Sequence, residues 1–284
     1  MAELELSAGT IEYEDTGGGG PPLVLIHGVA MNGSLWRAVV AELRAEHRCV
    51  IPTLPLGAHR HPMRSDADLS MSGIAGLIAE LLERLDLRDV TLAMNDWGGP
   101  QLLVSEGRDE RIGRLVITSC EAFDNVPPGL PGRVLGLSAK VPGGLNALVQ
   151  PLRVRLLRRL PLAFGWMAKR PIPDAVVDDW LRPLLTQRAV RRDLIKYIRA
   201  TDSNALIEAT PALGRFDRPA LVAWASEDRV MPLEHGRRLV GLLPDGHLTE
   251  IADSYTLIPE DQPAALAAAI RRFVRDTQSQ RDAA

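Results

Sequence analysis

The sequence predicts an α/β fold: a mostly parallel sheet of about eight strands with helices packed on both faces. Short runs of apolar residues recur along the chain, and such runs are typical of strands buried in a parallel sheet. Segments with apolar residues at helical spacing fall between them. Alternating strands and helices imply a parallel sheet covered on both sides, and a chain of 284 residues can form one large domain.

The strand predictions begin with an N-terminal hairpin, residues 4–6 and 10–13, in which apolar and polar residues alternate around Ala8-Gly9. A glycine-rich connection, residues 17–20, leads to the first buried strand. The buried runs are Leu23–Ile26 and residues 49–51, 90–93, 115–117 and 220–224, with residues 248–251 as a weaker sixth.

Helices are predicted between these strands. One has an apolar face from Ile74 to Leu85, with Ser72 as its N-cap. Residues 35–46 and 233–243 are further helices, and a final helix carries Pro263 in its first turn.

The segment 125–211 breaks this pattern, because it has no strand-like run and many apolar residues at helical spacing. We expect a helical lid inserted into a core domain made of residues 1–124 and 212–284. Charge supports the division: residues 125–215 carry a net charge of +9 and the remainder −12. The interleaved basic and apolar residues of 148–170 fit either a mouth that attracts anionic or lipid-like substrates or a solvated outer face.

Composition excludes several classes of protein. Hydrophobic residues make up 46% and charged residues 24%, which is ordinary for a folded globular protein. Two cysteines, Cys49 and Cys120, are too few for a disulfide framework. The N-terminus is polar and no apolar run is long enough for a membrane span, so we expect a cytoplasmic protein. No cluster has metal-ligand spacing, no cofactor is implied, and nucleic acid is not an expected partner. The oligomeric state stays open.

One motif carries chemistry. The strand at residues 90–93 runs into Asn95-Asp96-Trp97-Gly98-Gly99 before a helix begins. Small residues after the apex of such a strand–turn–helix let the backbones approach, and the apical side chain is forced out over the sheet edge. The apical residue is Asp96. The simpler alternative is that Asp96 is a helix N-cap and Trp97 a core residue.

This motif resembles the nucleophile elbow of the α/β-hydrolase superfamily, in the aspartate form of its haloalkane dehalogenase and epoxide hydrolase branch. The resemblance covers nearly the whole chain. The other matching residues are His27-Gly28 after the first buried strand, Trp36-Arg37, Leu54-Pro55, Glu121 after the fourth buried run and Glu227-Asp228 after the fifth.

The resemblance implies a role for each matching residue. Asp96 would attack an electrophilic carbon and form an ester intermediate. The backbone N–H groups of Val29 and Trp97 would form the oxyanion hole, and the Trp97 side chain would help to hold a leaving halide. Asp228, or alternatively Glu121, would be the acid that supports a catalytic histidine.

The chain departs from the family where that histidine belongs. Counting back from Asp261-Gln262-Pro263 places Thr256 at the position, and no histidine follows His247. Threonine has no group that titrates near neutral pH, so it cannot activate water as histidine does. Val29 and Ala30 replace the family's asparagine and proline, and the lid has a single tyrosine, Tyr197.

Two loop histidines, His59 and His61, follow the strand at residues 49–51 and are hypothetical replacement bases; a solvated loop is the alternative. Asp228 and Glu121 would then contact Thr256, Asn95 or water. A second carboxylate near Asp96 could also raise the pKa of one partner. The remaining candidates for contact with the substrate are Tyr197, Tyr255 and four lid residues that core packing would explain equally well: Phe164, Trp166, Met167 and Trp180.

The sequence therefore predicts a hydrolase that uses Asp96 to attack a small, largely apolar molecule of the haloalkane, epoxide or ester type. The missing histidine leaves two alternatives. One is a non-hydrolytic lyase, isomerase or cyclase that uses Asp96 as an acid or base. The other is an inactive relative that binds a ligand.

Overall fold

The computed structural model describes residues 1–282 and contains one eight-stranded sheet. The strands are β1 (Ala2–Leu6), β2 (Gly9–Asp15), β3 (Leu23–Ile26), β4 (Cys49–Pro52), β5 (Val90–Asp96), β6 (Ile112–Cys120), β7 (Ala220–Ala225) and β8 (Gly246–Ile251). Their order across the sheet is β1-β2-β4-β3-β5-β6-β7-β8. β2 pairs antiparallel with β1 and β4, and every other pair is parallel. The predicted fold class and all eight predicted strands are confirmed.

The helices of the core are α1 (Arg37–Leu43), α2 (Met71–Arg84), α3 (Gly99–Ser105), α9 (Leu233–Val240), α10 (Ile258–Asp261) and α11 (Pro263–Asp282). Those between β6 and β7 are α4 (Gly129–Lys140), α5 (Gly144–Val149), α6 (Asp174–Thr186), α7 (Arg188–Ala200) and α8 (Ser203–Ala209), with short 3₁₀ helices at Gln150–Arg153, Arg155–Arg159 and Thr210–Arg215. We call residues 125–211 the helical insertion. Within residues 1–282, none of the helices combines the length and the apolar character needed to cross a bilayer.

Successive residues of the central strands point into two different apolar layers. Val24 and Ile26 of β3 belong to the layer that contains α2 and α3, whereas Leu23 and Leu25 belong to the layer of α1 and α11. A strand with both faces covered must be apolar throughout, because its side chains alternate between the faces. This explains why Leu23–Ile26 is an unbroken apolar run.

Three helices have boundaries that differ from the prediction, and one of them, α9, ends at Val240 instead of residue 243. The N-cap of α2 is Ser70, whose Oγ accepts a hydrogen bond from the Gly73 N–H at 3.0 Å, and Ser72 lies inside the helix. The predicted helix at 35–46 is a 3₁₀ helix, Gly33–Trp36, followed by α1, which ends at Leu43. Both serines precede the apolar face, and only the backbone geometry of Ser70 is extended, as a cap requires.

The Ser70 cap gives a prediction about stability. Ser70→Ala should lower the free energy of unfolding by about 1 kcal/mol, because it leaves the Gly73 N–H without its acceptor. Ser72→Ala is the matched control, and it should leave stability nearly unchanged because alanine is a good helix former. Urea denaturation of the two variants measures both. Equal losses in both would contradict the assignment of the cap.

Candidate active site

The turn between β5 and α3 is a sharp elbow with Asp96 at its apex. Asp96 has φ of +70°, in the left-handed region that residues with a Cβ seldom adopt, and its side chain is buried. Non-glycine residues persist in such conformations only where the surrounding structure holds them, and these positions cluster at functional sites. The elbow anticipated from the sequence is thus present, with the aspartate held in a strained conformation.

The loop after β3 approaches the Asp96 carboxylate closely. The Val29 N–H donates to Asp96 Oδ2 at 3.1 Å. A Cβ atom on Gly28 would lie 2.0 Å from the same oxygen, so only glycine allows this approach. The Val29 amide therefore stands where it can stabilise negative charge on an oxygen of Asp96.

Glu121 is fixed beside the elbow through its backbone. Its N–H donates to the Asp96 carbonyl oxygen at 3.3 Å, and its own carbonyl oxygen accepts from Gln101 Nε2 at 2.9 Å. A Cβ atom on Gly98 would lie 2.8 Å from that carbonyl, so the small residue after Trp97 lets the two strand ends come together. The Glu121 side chain is buried, and its Oε2 has no hydrogen-bond partner among the described residues.

Thr256 contacts Asp228, the acid that the resemblance implies would support a catalytic histidine. Its hydroxyl donates to Asp228 Oδ1 at 2.7 Å, and the same oxygen accepts from the N–H groups of Val230 and Met231. The Thr256 carbonyl accepts from Asn95 Nδ2 at 2.8 Å. A buried, non-titrating hydroxyl therefore lies against Asp228, and of the contacts predicted for Asp228 and Glu121 the one between Asp228 and Thr256 is present.

Three carboxyl groups of this region have raised pKa values. Burial, reinforced by the nearby Asp228, raises the pKa of Asp96 to about 7, although the Val29 hydrogen bond opposes the shift. Burial and the charge of Asp96 raise the pKa of Glu121 to about 8. Burial raises the pKa of Asp228 to about 6, against hydrogen bonds from Met231, Val230 and Thr256. The site can therefore exchange protons near neutral pH without an imidazole.

The hypothesis that His59 or His61 faces Asp96 is not supported. His59 is buried, but its Nδ1 accepts from the Gly57 N–H at 3.3 Å and its Nε2 lies 3.3 Å from Asp193 on α7. The side chain of His61 is 40% exposed, and its Nε2 lies 3.3 Å from Glu3 on the β1–β2 hairpin. Both rings are held by partners away from the elbow, because the loop after β4 turns toward the helical insertion and the hairpin.

The other four histidines also have places outside the elbow. His27 is fully buried, lies 2.8 Å from the Gly28 carbonyl through Nδ1 and accepts from the Leu54 N–H at 2.9 Å through Nε2, so it braces two loops. Burial lowers its pKa to about 4, which keeps it neutral. His247 lies at the start of β8 and contacts Asp245. His47 follows α1, and the His235 ring packs against Phe123.

An apolar cavity of about 370 Å³ opens above Asp96. Asp96, Glu121 and Val29 contribute to its floor, and the helical insertion supplies most of its wall, including the predicted residues Phe164, Met167 and Tyr197. The sequence analysis missed other wall residues, among them Leu135, Leu148, Leu152, Leu157, Leu184 and Leu194. Their signal was only the helical spacing of apolar residues, which is the same for a cavity wall and a packed core.

Three predicted substrate contacts are wrong. Trp180 is fully buried and donates from Nε1 to Ser34 Oγ at 2.8 Å, so it packs the insertion against the core. Trp166 is half-buried against the apolar layer. The ring of Tyr255 packs under the Arg229 guanidinium at 4.8 Å. Within residues 1–282, none of the three lines the cavity.

Two buried hydrogen-bond donors near Asp96, the Tyr197 hydroxyl and Trp97 Nε1, make no hydrogen bond of normal geometry in the described part of the chain, although Tyr197 lies close to Trp97 and Thr201. Burial, with the nearby charges of Glu121 and Asp96, raises the Tyr197 pKa well above its usual value. Buried polar groups without partners are uncommon in folded proteins and mark positions where a ligand can bind. Tyr197 lines the cavity, so its hydroxyl can meet a polar atom of a bound molecule.

The eight-stranded sheet, the strained elbow and the cavity above it together define an α/β-hydrolase-type protein. The model of the alpha/beta hydrolase family matches residues 23–269. The chain belongs to this family. Its relatives include proteins named as hydrolases and dehalogenases.

Curated relatives align along almost the full length. A cis-3-alkyl-4-alkyloxetan-2-one decarboxylase from Xanthomonas campestris is 27% identical, over 93% of this chain and 92% of the relative. Haloalkane dehalogenase 2 from Mycobacterium tuberculosis is 28% identical, over 94% of this chain and 92% of the relative. Among solved structures, haloalkane dehalogenase DbeA from Bradyrhizobium elkani superposes with a TM-score of 0.80 at 18% identity, covering 98% of each chain. That likeness shows the shared fold.

The raised pKa of Asp96 predicts a stability that depends on pH. The folded protein holds the Asp96 proton up to about pH 7, whereas an unfolded aspartate loses it near about pH 4. The contribution of the protonated Asp96 to the free energy of unfolding is therefore fully present at low pH, and it is lost as the pH rises from about 4 to about 7. Asp96→Asn should be more stable than the wild type at about pH 8 by on the order of 3 kcal/mol, with a smaller gain at about pH 5.

Denaturant unfolding at both pH values measures this difference. Asp66→Asn, which removes an exposed carboxylate, serves as the control and should shift stability little at either pH. A gain for Asp96→Asn that does not grow with pH would show that Asp96 is ionised without cost in the folded protein.

Proposed function

We propose that this protein is a hydrolase that attacks a small, largely apolar substrate of the haloalkane, epoxide or ester type through Asp96. The observation that carries the proposal is the position of the Asp96 carboxylate at the floor of the apolar cavity, with Oδ2 on the Val29 N–H. One carboxylate oxygen is thereby held by a backbone donor, and Oδ1 is the oxygen available for attack.

In the first step, Oδ1 would form a bond to the electrophilic carbon as the bond to the leaving group breaks. Oδ2 then becomes the carbonyl oxygen of an ester and keeps its hydrogen bond to Val29, with the Trp97 backbone N–H as the proposed second donor. When water later attacks this ester, the charge that develops on Oδ2 is stabilised by the same donors. Only the ionised carboxylate attacks, so the first step should accelerate as pH rises through about 7.

We also propose that the helical insertion acts as the lid of this site, because it forms most of the cavity wall. The haloalkane dehalogenase named among the relatives supports substrates with a carbon–halogen bond. A cytoplasmic location stays a prediction, consistent with the two buried free cysteines, Cys49 and Cys120.

A second candidate function is a non-hydrolytic lyase. The relative from Xanthomonas campestris is named as a decarboxylase of an oxetan-2-one, a four-membered lactone ring. Loss of carbon dioxide from such a ring consumes no water, so it does not require the base that activates water. The contact of Thr256 with Asp228, in place of a histidine, is the observation that favours this candidate.

Single-turnover experiments in water labelled with heavy oxygen test the nucleophile. Bromohexane and epoxyhexane, which can form an alkyl ester on Asp96, are the probes of the nucleophile, and a dialkyl oxetanone is the probe of the lyase. If Asp96 forms the ester, water attacks its acyl carbon, so the label should enter Asp96 in the first turnover and the product only later. Asp96→Asn should form neither adduct nor product, and its activity should fall at least ~10³-fold.

The outcomes separate the candidates. Label that appears in the alcohol formed from bromohexane, or in the diol formed from epoxyhexane, during the first turnover would show direct attack by water and overturn Asp96 as nucleophile. Turnover of the oxetanone alone, with alkene and carbon dioxide as products and no label in either the protein or the alkene, would favour the lyase.

The Thr256–Asp228 contact yields a further prediction. Thr256→His should increase release of the Asp96 ester, because Asp228 Oδ1 already accepts a hydrogen bond from this position and is held by two backbone N–H groups. Thr256→Gln is the matched control, similar in size and without a titrating group. Rapid-quench mass measurement of the ester follows the rate. A folded histidine variant no faster than the glutamine variant would show that Asp228 cannot orient an imidazole here.

A further inference from the structure

Hydrolysis of an ester on Asp96 requires a group that takes a proton from water, and the structure leaves this role without a histidine. Thr256 does not titrate near neutral pH, and the six histidines are held elsewhere. We propose that Glu121 is the general base of the release step: its carboxylate takes the proton from the water that attacks the ester. This inference rests on the proposed nucleophilic role of Asp96.

The position of Glu121 fits that role. Its backbone is tied to the carbonyl of Asp96 and to Gln101, so its Cα is fixed next to the nucleophile. Its side chain is only 6% exposed and lines the same cavity as Asp96. Oε2 is buried without a partner in residues 1–282, so no hydrogen bond within the described chain competes for this oxygen.

The charges around Glu121 change when Asp96 reacts. The titratable groups that face Glu121 are Asp96 from β5, Tyr197 from α7 and Cys120 from its own strand, and Asp228 faces Asp96 in turn. In the free protein, burial and the Asp96 charge hold the Glu121 pKa at about 8, so Glu121 carries a proton beside an ionised Asp96. An ester on Asp96 is neutral, and the repulsion between the two groups disappears.

Formation of the ester therefore prepares the base. Once the Asp96 charge is gone, the pKa of Glu121 falls toward the value that burial alone sets, so a larger share of the Glu121 carboxyl groups releases its proton to solvent at a given pH. A histidine needs no such coupling, because its neutral form predominates near pH 7. In this proposal, the covalent step increases the fraction of Glu121 that is ionised and can accept a proton.

The protons balance over one turnover of an alkyl bromide. In the first step, the Asp96 Oδ1–carbon bond forms, the carbon–bromine bond breaks and bromide leaves with the electron pair; Glu121 loses its proton to solvent. Water then attacks the acyl carbon and gives one proton to Glu121. The bond from the acyl carbon to the alcohol oxygen breaks, and that oxygen takes the second proton of the water. The products are an alcohol, bromide and one proton.

Glu121→Gln with bromohexane tests the assignment, because bromide needs no proton to leave and the first step stays intact. The intact mass of the quenched protein follows the ester over time. We expect the ester to form in the variant and its release to slow at least ~100-fold, the usual contribution of a general base. In the wild type, release should rise with pH through one titrating group, and this dependence should vanish in Glu121→Gln.

Two further variants complete the design. Glu121→Asp keeps a carboxylate and should restore release in part, whereas a merely structural defect would not respond to the carboxylate. Glu110→Gln changes an exposed glutamate on the loop before β6 and should match the wild type. Melting temperatures check that each variant is folded.

The outcomes are distinct for the two proposals. An ester that forms and is released from Glu121→Gln at the wild-type rate overturns the role of Glu121 and leaves Asp96 as nucleophile. An ester that persists in the wild type also overturns Glu121 as base. If no ester forms on Asp96 in any of these proteins while alcohol is still produced, the nucleophilic role of Asp96 fails, and the role of Glu121 fails with it.

Discussion

The close approach of the Gly28-Val29 loop to the Asp96 carboxylate is the constraint on which the site depends. It requires a residue without Cβ at position 28 and a left-handed backbone at Asp96. It also requires that β3 and β5 be neighbours, which the parallel sheet provides through the pairing of Ile26 with Met94. A strained carboxylate with one oxygen on a backbone N–H is the product of these conditions. The strain at Asp96 lowers the stability of the fold, and the same contacts hold the carboxylate in a single orientation.

The electrostatic character of the site follows from what surrounds that carboxylate. The carboxyl groups of Asp96, Glu121 and Asp228 come from the ends of β5 and β6 and from the loop after β7. They are buried, so little water solvates them. No guanidinium or ammonium group is hydrogen-bonded to any of the three among the residues that the structure describes. Desolvation and mutual repulsion therefore dominate, and protonation is distributed among the carboxyls as a set.

Much of this arrangement could be predicted from the sequence, because it depends on residues that lie close together along the chain. Runs such as Leu23–Ile26 must be apolar to lie inside a two-faced sheet, and the Asp96 elbow needs small residues at fixed distances along the chain. Thr256 could be placed by counting from Asp261, because short loops keep their spacing. Contacts across the fold were harder to predict: His59 turned out to contact Asp193, 134 residues away. Trp180 and Leu184 lie on the same helix, yet one packs on Ser34 and the other lines the cavity, a difference that residue type alone does not encode.

The helical insertion is attached to the core unevenly. The part of the insertion that follows residue 165 is hydrogen-bonded to the core at several points. Asp179 bonds to Asn32 and Arg60, and Asp193 accepts from the Met63 N–H. The backbone N–H groups of Lys169 and Arg170 donate to Asp261. The first part, residues 129–165, is joined to this second part through bonds such as Gln150 to Leu185 and Arg199 to Ala139.

Leu160 belongs to that first part and is both half exposed and part of the cavity wall. The insertion thus has one part hydrogen-bonded to the core and one part, residues 129–165, hydrogen-bonded to the part that follows residue 165, and the exposed wall residue Leu160 lies in residues 129–165. Substitutions in residues 129–165 can alter which molecules reach the floor of the cavity, while the sheet, the elbow and the part of the insertion bonded to the core stay as they are. Under the proposed function, the choice of substrate and the geometry around Asp96 would depend on separate stretches of the chain.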